Sequence, residues 1–116
     1  MTLACHGIED VFLVSKKQNR QRFRRSILEG WAWRCAYCDA CLRHQATLDH
    51  VIPISRGGLT SKENLVAACP SCNVAKSDHS LDAWYRDQAF YDQRRESAIW
   101  WWRLSHGSMA PQPINH

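Results

Sequence analysis

Apolar positions along this chain fall in short, separated groups. Phe23, Ile27 and Leu28 recur at i, i+4 and i+5 within residues 18–30, a narrow stripe on a segment otherwise covered by arginine. That spacing predicts a helix, with Gly30 as its stop. Residues 47–54, Thr-Leu-Asp-His-Val-Ile-Pro-Ile, are rich in β-formers and predict a strand, with Pro53 limiting pairing at its far end. Ser55-Arg-Gly-Gly58 reads as a loop, because two consecutive glycines break either periodicity. Ser61-Lys-Glu-Asn64 is a turn into a short apolar segment over 65–68. Pro70 suits the first turn of a helix that would carry Asn73 and Lys76. Ser80 is placed to cap another helix from Leu81, with Asp82 in its first turn. The pattern stays helical and aromatic to about Leu104, as one helix or as two with a break near 89–92. Residues 1–15 carry no clear pattern, and Pro111 and Pro113 mark a loose tail.

A chain of 116 residues is expected to form one domain over 1–116, with a core at about 20–77 and a helical extension at about 80–105. A domain this small often needs a covalent or metal staple. No apolar run is long enough to cross a bilayer. Residues 1–10 hold Glu9 and Asp10 and no Lys or Arg, unlike a secretory signal, so the expected compartment is the reducing cytoplasm. The net charge is +4, but its placement says more. Lys16, Lys17, Arg20, Arg22, Arg24, Arg25 and Arg34 face a single acid in that stretch, Glu29. Such a cluster fits a polyanion such as nucleic acid, and equally a solvated helix face.

The six cysteines are Cys5, Cys35, Cys38, Cys41, Cys69 and Cys72. Cys35-x-x-Cys38 and Cys69-x-x-Cys72 are two knuckles separated by thirty residues. A two-residue gap lets both thiolates of a knuckle reach one ion, and two knuckles complete a tetrahedral Zn²⁺ site. Four thiolates leave no open position, so that zinc would be structural. Cys38-x-x-Cys41 has the same spacing, and Cys41 or Cys5 remains an alternative ligand. Chance buried cysteines would have to explain two identical spacings.

Between and after the knuckles lie Leu48-Asp49-His50-Val51-Ile52-Pro53, Gly57-Gly58, Glu63-Asn64-Leu65 and Cys72-Asn73-Val-Ala-Lys76. This ordered set resembles the HNH endonuclease family in its four-cysteine, zinc-ribbon form, over about residues 20–77. The resemblance implies an α+β fold: a small zinc-stapled ββα-metal core, flanked here by a basic N-terminal helix and an aromatic-rich C-terminal helix. It implies His50 as the general base that activates water, and Asp49 and Asn73 as ligands of a catalytic divalent cation. Asn stands at the last signature position, so this is an H-N-N variant. Carboxylate and amide oxygens are hard donors, which favours Mg²⁺ or Mn²⁺. Asn64 would hold the loop that orients His50. Lys76 and Arg56 would contact phosphate, together with Arg20, Arg22, Arg24 and Arg25.

The residues make chemical sense of that implication. Phosphodiester hydrolysis needs a proton acceptor near neutral pH and charge neutralisation at the leaving oxygen. Adjacent strand residues point to opposite faces, so Asp49 and His50 can share a site only where the strand bends. The expected partner is DNA, gripped mostly by its backbone, with the small stand-alone format resembling phage or mobile-element HNH proteins. A zinc-ribbon nucleic-acid-binding module without chemistry is the competing reading, and it has no use for Asp49, His50 and Asn73 together. Trp100-Trp101-Trp102 cannot share one helix face, so at least one ring is exposed or meets a homodimer or protein partner. Alternatively, the aromatics cover the domain's own core.

Overall fold

The computed structural model describes residues 15–108. Cys5 and the tail around Pro111 and Pro113 lie outside the described residues. Helix α1 spans Lys16–Gly30 and opens on a capping box, in which the Ser15 hydroxyl accepts from Gln18 N and the Gln18 side chain accepts from Ser15 N. Only its last turns are buried: Ile27 and Leu28 enter the core, while Phe23, expected on the same stripe, remains 38% exposed. Residues 34–41 then fold back on themselves. Arg34 and Cys41 pair as an antiparallel bridge, and Cys35 N donates to Ala40 O across the first knuckle.

Strand β1 (Thr47–His50) pairs antiparallel with β2 (Leu65–Ala68), with Asp49 opposite Val66 and His50 opposite Leu65. The strand expected over 47–54 thus ends at His50. Beyond it, Ile52 N donates to the Asn64 side chain, and Pro53 has no N–H to offer a ladder. The link between the strands bends through short 3₁₀ turns at Ile54–Arg56 and Lys62–Asn64. Gly57 takes φ +90° there, and a Cβ on Gly58 would stand 1.8 Å from Ile52 O. The backbone can close this tightly only without side chains at those positions.

Helix α2 (Pro70–Lys76) follows, with Pro70 at its first position, and completes a ββα unit. Helix α3 (Leu81–Tyr85), a turn, and α4 (Gln93–Leu104) form the extension, broken in the region the sequence indicated. The aromatics of this extension largely serve the domain's own core. Trp102 is fully buried against Trp31 at 5.4 Å between ring centroids, and its Nε1 donates to Lys62 O and Leu65 O. Trp84 and Tyr85 pack on Tyr37. Trp100 and Trp101 are 40% and 46% exposed, so the three adjacent tryptophans do divide between core and surface. Among the described residues no helix is long and apolar enough to cross a membrane.

Candidate active site and metal centre

Cys35, Cys38, Cys69 and Cys72 bring their sulfurs within 4.8 Å of one another. The Cys38 and Cys69 sulfurs are 3.8 Å apart. Ligand sulfurs about 2.3 Å from a tetrahedral ion stand about 3.8 Å apart, so this donor set fits one such ion. Cys41 is exposed and outside the cluster. The turn that separates it is fixed by Asp39 N donating to Cys35 O, which closes the first knuckle before Cys41 is reached. Without a cation the crowding is unfavourable to charge. Burial lifts the Cys35 thiol to about 11, and burial followed by the charge of Cys35 lifts Cys72. Burial also pushes Cys69 up, but hydrogen bonds from its neighbouring cysteines outweigh it and hold Cys69 below the ordinary thiol value. A dication compensates that crowding, because thiolate is the ligating form.

The expected site residues sit on the seam between β1 and α2. Asn73 Nδ2 donates to Thr47 Oγ1 at 2.9 Å and to Leu48 O at 3.2 Å. One helical turn on, Lys76 Nζ pairs with Asp49 Oδ2 at 3.2 Å and donates to His50 O at 2.8 Å. Thr47 and Asp49 share a strand face, so helix positions i and i+3 are matched to strand positions i and i+2. The Tyr37 hydroxyl also donates to Asp49 Oδ2, at 2.5 Å. Both partners therefore use the same carboxylate oxygen. Oδ1 accepts no hydrogen bond among the described residues, of which only Trp31 Nε1 is a sealed side-chain polar atom without a partner. Burial raises the Asp49 carboxyl, against the opposing pull of Lys76, the Tyr37 hydroxyl and His50.

Lys76 corrects an expectation. Its ammonium is fully buried, so its charge is spent inside the fold and does not face a phosphate. The reason is geometric: one turn past Asn73, a residue of α2 faces β1, and Asp49 is the group it meets.

His50 leaves the strand on the other side, where its Nε2 lies 2.9 Å from Thr60 Oγ1. Buried Asn64 ties the intervening loop together. Its Nδ2 donates to Ile52 O and Leu59 O, and its Oδ1 accepts from Ile52 N and from Arg103 Nη1. The loop that carries Thr60 is thus fastened directly beyond His50. Arg56 is exposed and donates from Nε to Asp78 O. Arg20, Arg22, Arg24 and Arg25 are all exposed on α1, with Arg24 Nη2 donating to Ala46 O at 2.6 Å.

Three contributors escaped the sequence reading. Tyr37 carried a signal, an aromatic hydroxyl inside a four-residue knuckle, whose target could not be read without the fold. Thr60 and Arg103 carried none, because both act through contacts at least ten residues distant.

Residues 35–79 match the family model of HNH endonucleases. The match begins at the first cysteine of the cluster and ends just past Lys76. Two curated relatives are CRISPR-associated endonucleases Cas9. The protein of Corynebacterium diphtheriae is 32% identical over 56 residues, 47% of this chain and 5% of that protein. The protein of Actinomyces naeslundii is 35% identical over 63 residues, 53% of this chain and 6% of that protein. The chain thus spans only a small part, 5% and 6%, of the length of these relatives.

Proposed function

We propose that this protein is a metal-dependent endonuclease that hydrolyses DNA phosphodiester bonds, built around a structural Zn²⁺ on Cys35, Cys38, Cys69 and Cys72. The observation that carries the reading is the way Asp49 and Asn73 are held. Among the described residues, Asp49 is anchored through Oδ2 alone and the Asn73 side chain through Nδ2 alone. Each keeps one hard oxygen for a cation, and those donors suit Mg²⁺ or Mn²⁺ better than zinc. Bound there, the cation would neutralise charge on the scissile phosphate and the departing 3′ oxygen.

His50 supplies the proton acceptor. With its proton on Nε2 and donated to Thr60 Oγ1, the ring keeps a lone pair on Nδ1 for the attacking water. Lys76 ties the Asp49 carboxylate and the His50 carbonyl to one ammonium, which fixes the bend at which two adjacent residues serve one site. Asn64 holds the loop behind them. The exposed arginines of α1, with Arg56, meet the DNA backbone, which favours binding without choosing sequence.

The test is conversion of supercoiled plasmid by purified protein in EDTA, Mg²⁺ or Mn²⁺, beside His50→Ala. Nicked or linear product that needs both the added cation and His50 is the expected result. Zinc-loaded protein that retards DNA in a gel but converts none under any cation would instead identify a binding module without chemistry.

A further inference from the structure

Tyr37 lies inside the first cysteine knuckle, yet its hydroxyl ends on the other site. The residue is fully buried, and its ring is boxed by Trp84 at 5.1 Å and Tyr85 at 5.5 Å between centroids. Its carbonyl accepts from Tyr85 Oη at 2.6 Å, and Ala36 N beside it donates to Ala67 O of β2 at 2.8 Å. Backbone and ring are both fixed, which leaves the hydroxyl a single direction. The group it meets there is Asp49 Oδ2. The knuckle's own sulfurs, Cys35 and Cys38, belong to the four-cysteine cluster. One side chain therefore connects the order of the cysteine site to the orientation of the carboxylate.

We propose that Tyr37 is a positioning residue for the cleavage reaction: its hydroxyl, held by the Cys35–Cys38 turn, fixes Asp49 Oδ2 so that Oδ1 is presented to the divalent cation. This rests on the reading of Asp49 as a cation ligand. Lys76 grips the same oxygen, but an ammonium is a compact charge on a flexible stem and acts over a range of directions, whereas the boxed tyrosine permits one. Groups that orient a metal ligand in this way change metal affinity on the order of tenfold or more when removed.

The experiment compares Tyr37→Phe, Tyr91→Phe and Asp49→Ala with the wild type. Tyr91→Phe removes a tyrosine hydroxyl that donates to Glu96 and touches neither Tyr37 nor Asp49. Mn²⁺ binding is read from the free-ion electron paramagnetic resonance signal, and plasmid nicking is titrated against Mg²⁺, with zinc content measured throughout. Tyr37→Phe is expected to keep its zinc, to bind Mn²⁺ on the order of tenfold more weakly and to need correspondingly more Mg²⁺. Tyr91→Phe should keep the wild-type requirement. If Tyr37→Phe binds Mn²⁺ as the wild type does while Asp49→Ala loses binding, the role of Tyr37 is overturned and the reading of Asp49 stands. If Asp49→Ala binds and cuts as the wild type does, that reading falls and this inference with it. Should Tyr37→Phe lose zinc, the wild type decides: with ¹³Cζ-labelled tyrosine, Mg²⁺ must shift the Tyr37 resonance, and an unmoved signal at saturating Mg²⁺ refutes the inference.

Discussion

Lys76 Nζ stands 3.2 Å from Asp49 Oδ2, and both side chains are buried beneath the seam of α2 and β1. The ammonium also caps the His50 carbonyl, so neither charge is left without a partner. Replacing Lys76 with Met removes that ammonium and leaves the carboxylate with the Tyr37 hydroxyl alone. An uncompensated buried charge costs about 3–5 kcal/mol. Urea unfolding of Lys76→Met should report a loss of that order. Adding Asp49→Asn should recover part of it, because the stranded charge is then gone, and the two changes should be non-additive by about 1–3 kcal/mol. Simple additivity would mean that the pair is not coupled.

The cysteine cluster separates two substitutions that look alike in sequence. Cys69→Ser removes a member of the four-sulfur cluster but keeps a side chain able to cap α2, where Cys69 Sγ accepts from Cys72 N, so a loss of stability reports the metal site. Cys41→Ser touches an exposed residue outside it. Zinc content and thermal melting should therefore fall together in Cys69→Ser, and neither should move in Cys41→Ser. Chelation of the wild-type protein should lower its melting temperature in the same way, because the binding free energy of such a site is folding free energy.

Much of this arrangement was legible before the fold was known. Paired knuckles point to a metal cluster by spacing, although Cys38-x-x-Cys41 shares that spacing and only the fold sets Cys41 outside it, and Pro70 and Gly30 mark helix ends by backbone chemistry. What stayed hidden depends on register across elements. Lys76 reads as a surface cation until α2 is laid on β1, at which point it meets Asp49. Phe23 continues the stripe of Ile27 and Leu28, but the core extends only as far as the last turns of α1. The end of β1 at His50 is set by Asn64, fourteen residues on, whose amide takes the Ile52 N–H that a longer strand would have used.

Thr60 offers a narrower test of His50. The 2.9 Å contact to Nε2 is the polar contact the imidazole makes with the loop fastened by Asn64. Thr60→Val keeps the shape and removes the hydroxyl. A hydrogen bond of this kind contributes about 1 kcal/mol, which corresponds to a roughly fivefold change in rate. Cleavage at saturating DNA and cation should slow by about that factor with melting temperature unchanged. A wild-type rate would show that the imidazole is oriented by something else.

The start of α4 gives a pH-dependent prediction. Asp92 accepts from Arg94 N at 2.8 Å as the helix cap, and that hydrogen bond holds its carboxyl below the usual range. A carboxylate depressed in the folded state contributes stability above its unfolded value, and this is lost as pH falls through the folded one. Asp92→Ala should cost about 1 kcal/mol at pH 7. The gap between the two proteins should narrow as pH is lowered through the carboxylate range, as measured by urea unfolding at a series of pH values. A gap that stays constant into acid would place the effect in helix packing and not in the charged cap.

The exposed arginines of α1 divide by what they already hold. Arg24 is committed in part to the fold, since its Nη2 donates to Ala46 O just before β1. Arg20, Arg22 and Arg25 are exposed with no comparable tie among the described residues. If the helix lies along a DNA backbone, each of these three neutralises a phosphate, and the logarithm of affinity should fall with the logarithm of salt by about 0.9 per phosphate contacted. Replacing all three with Gln should weaken binding across unrelated DNA sequences and lower that slope by up to about 2.7. Arg24→Gln should behave differently, lowering stability as well as affinity. Fluorescence anisotropy with labelled duplexes at several salt concentrations measures both quantities. An unchanged slope in the triple variant would return the basic face of α1 to being a solvated helix surface, and would move the search for the DNA path to Arg56 and the loop around Gly57 and Gly58.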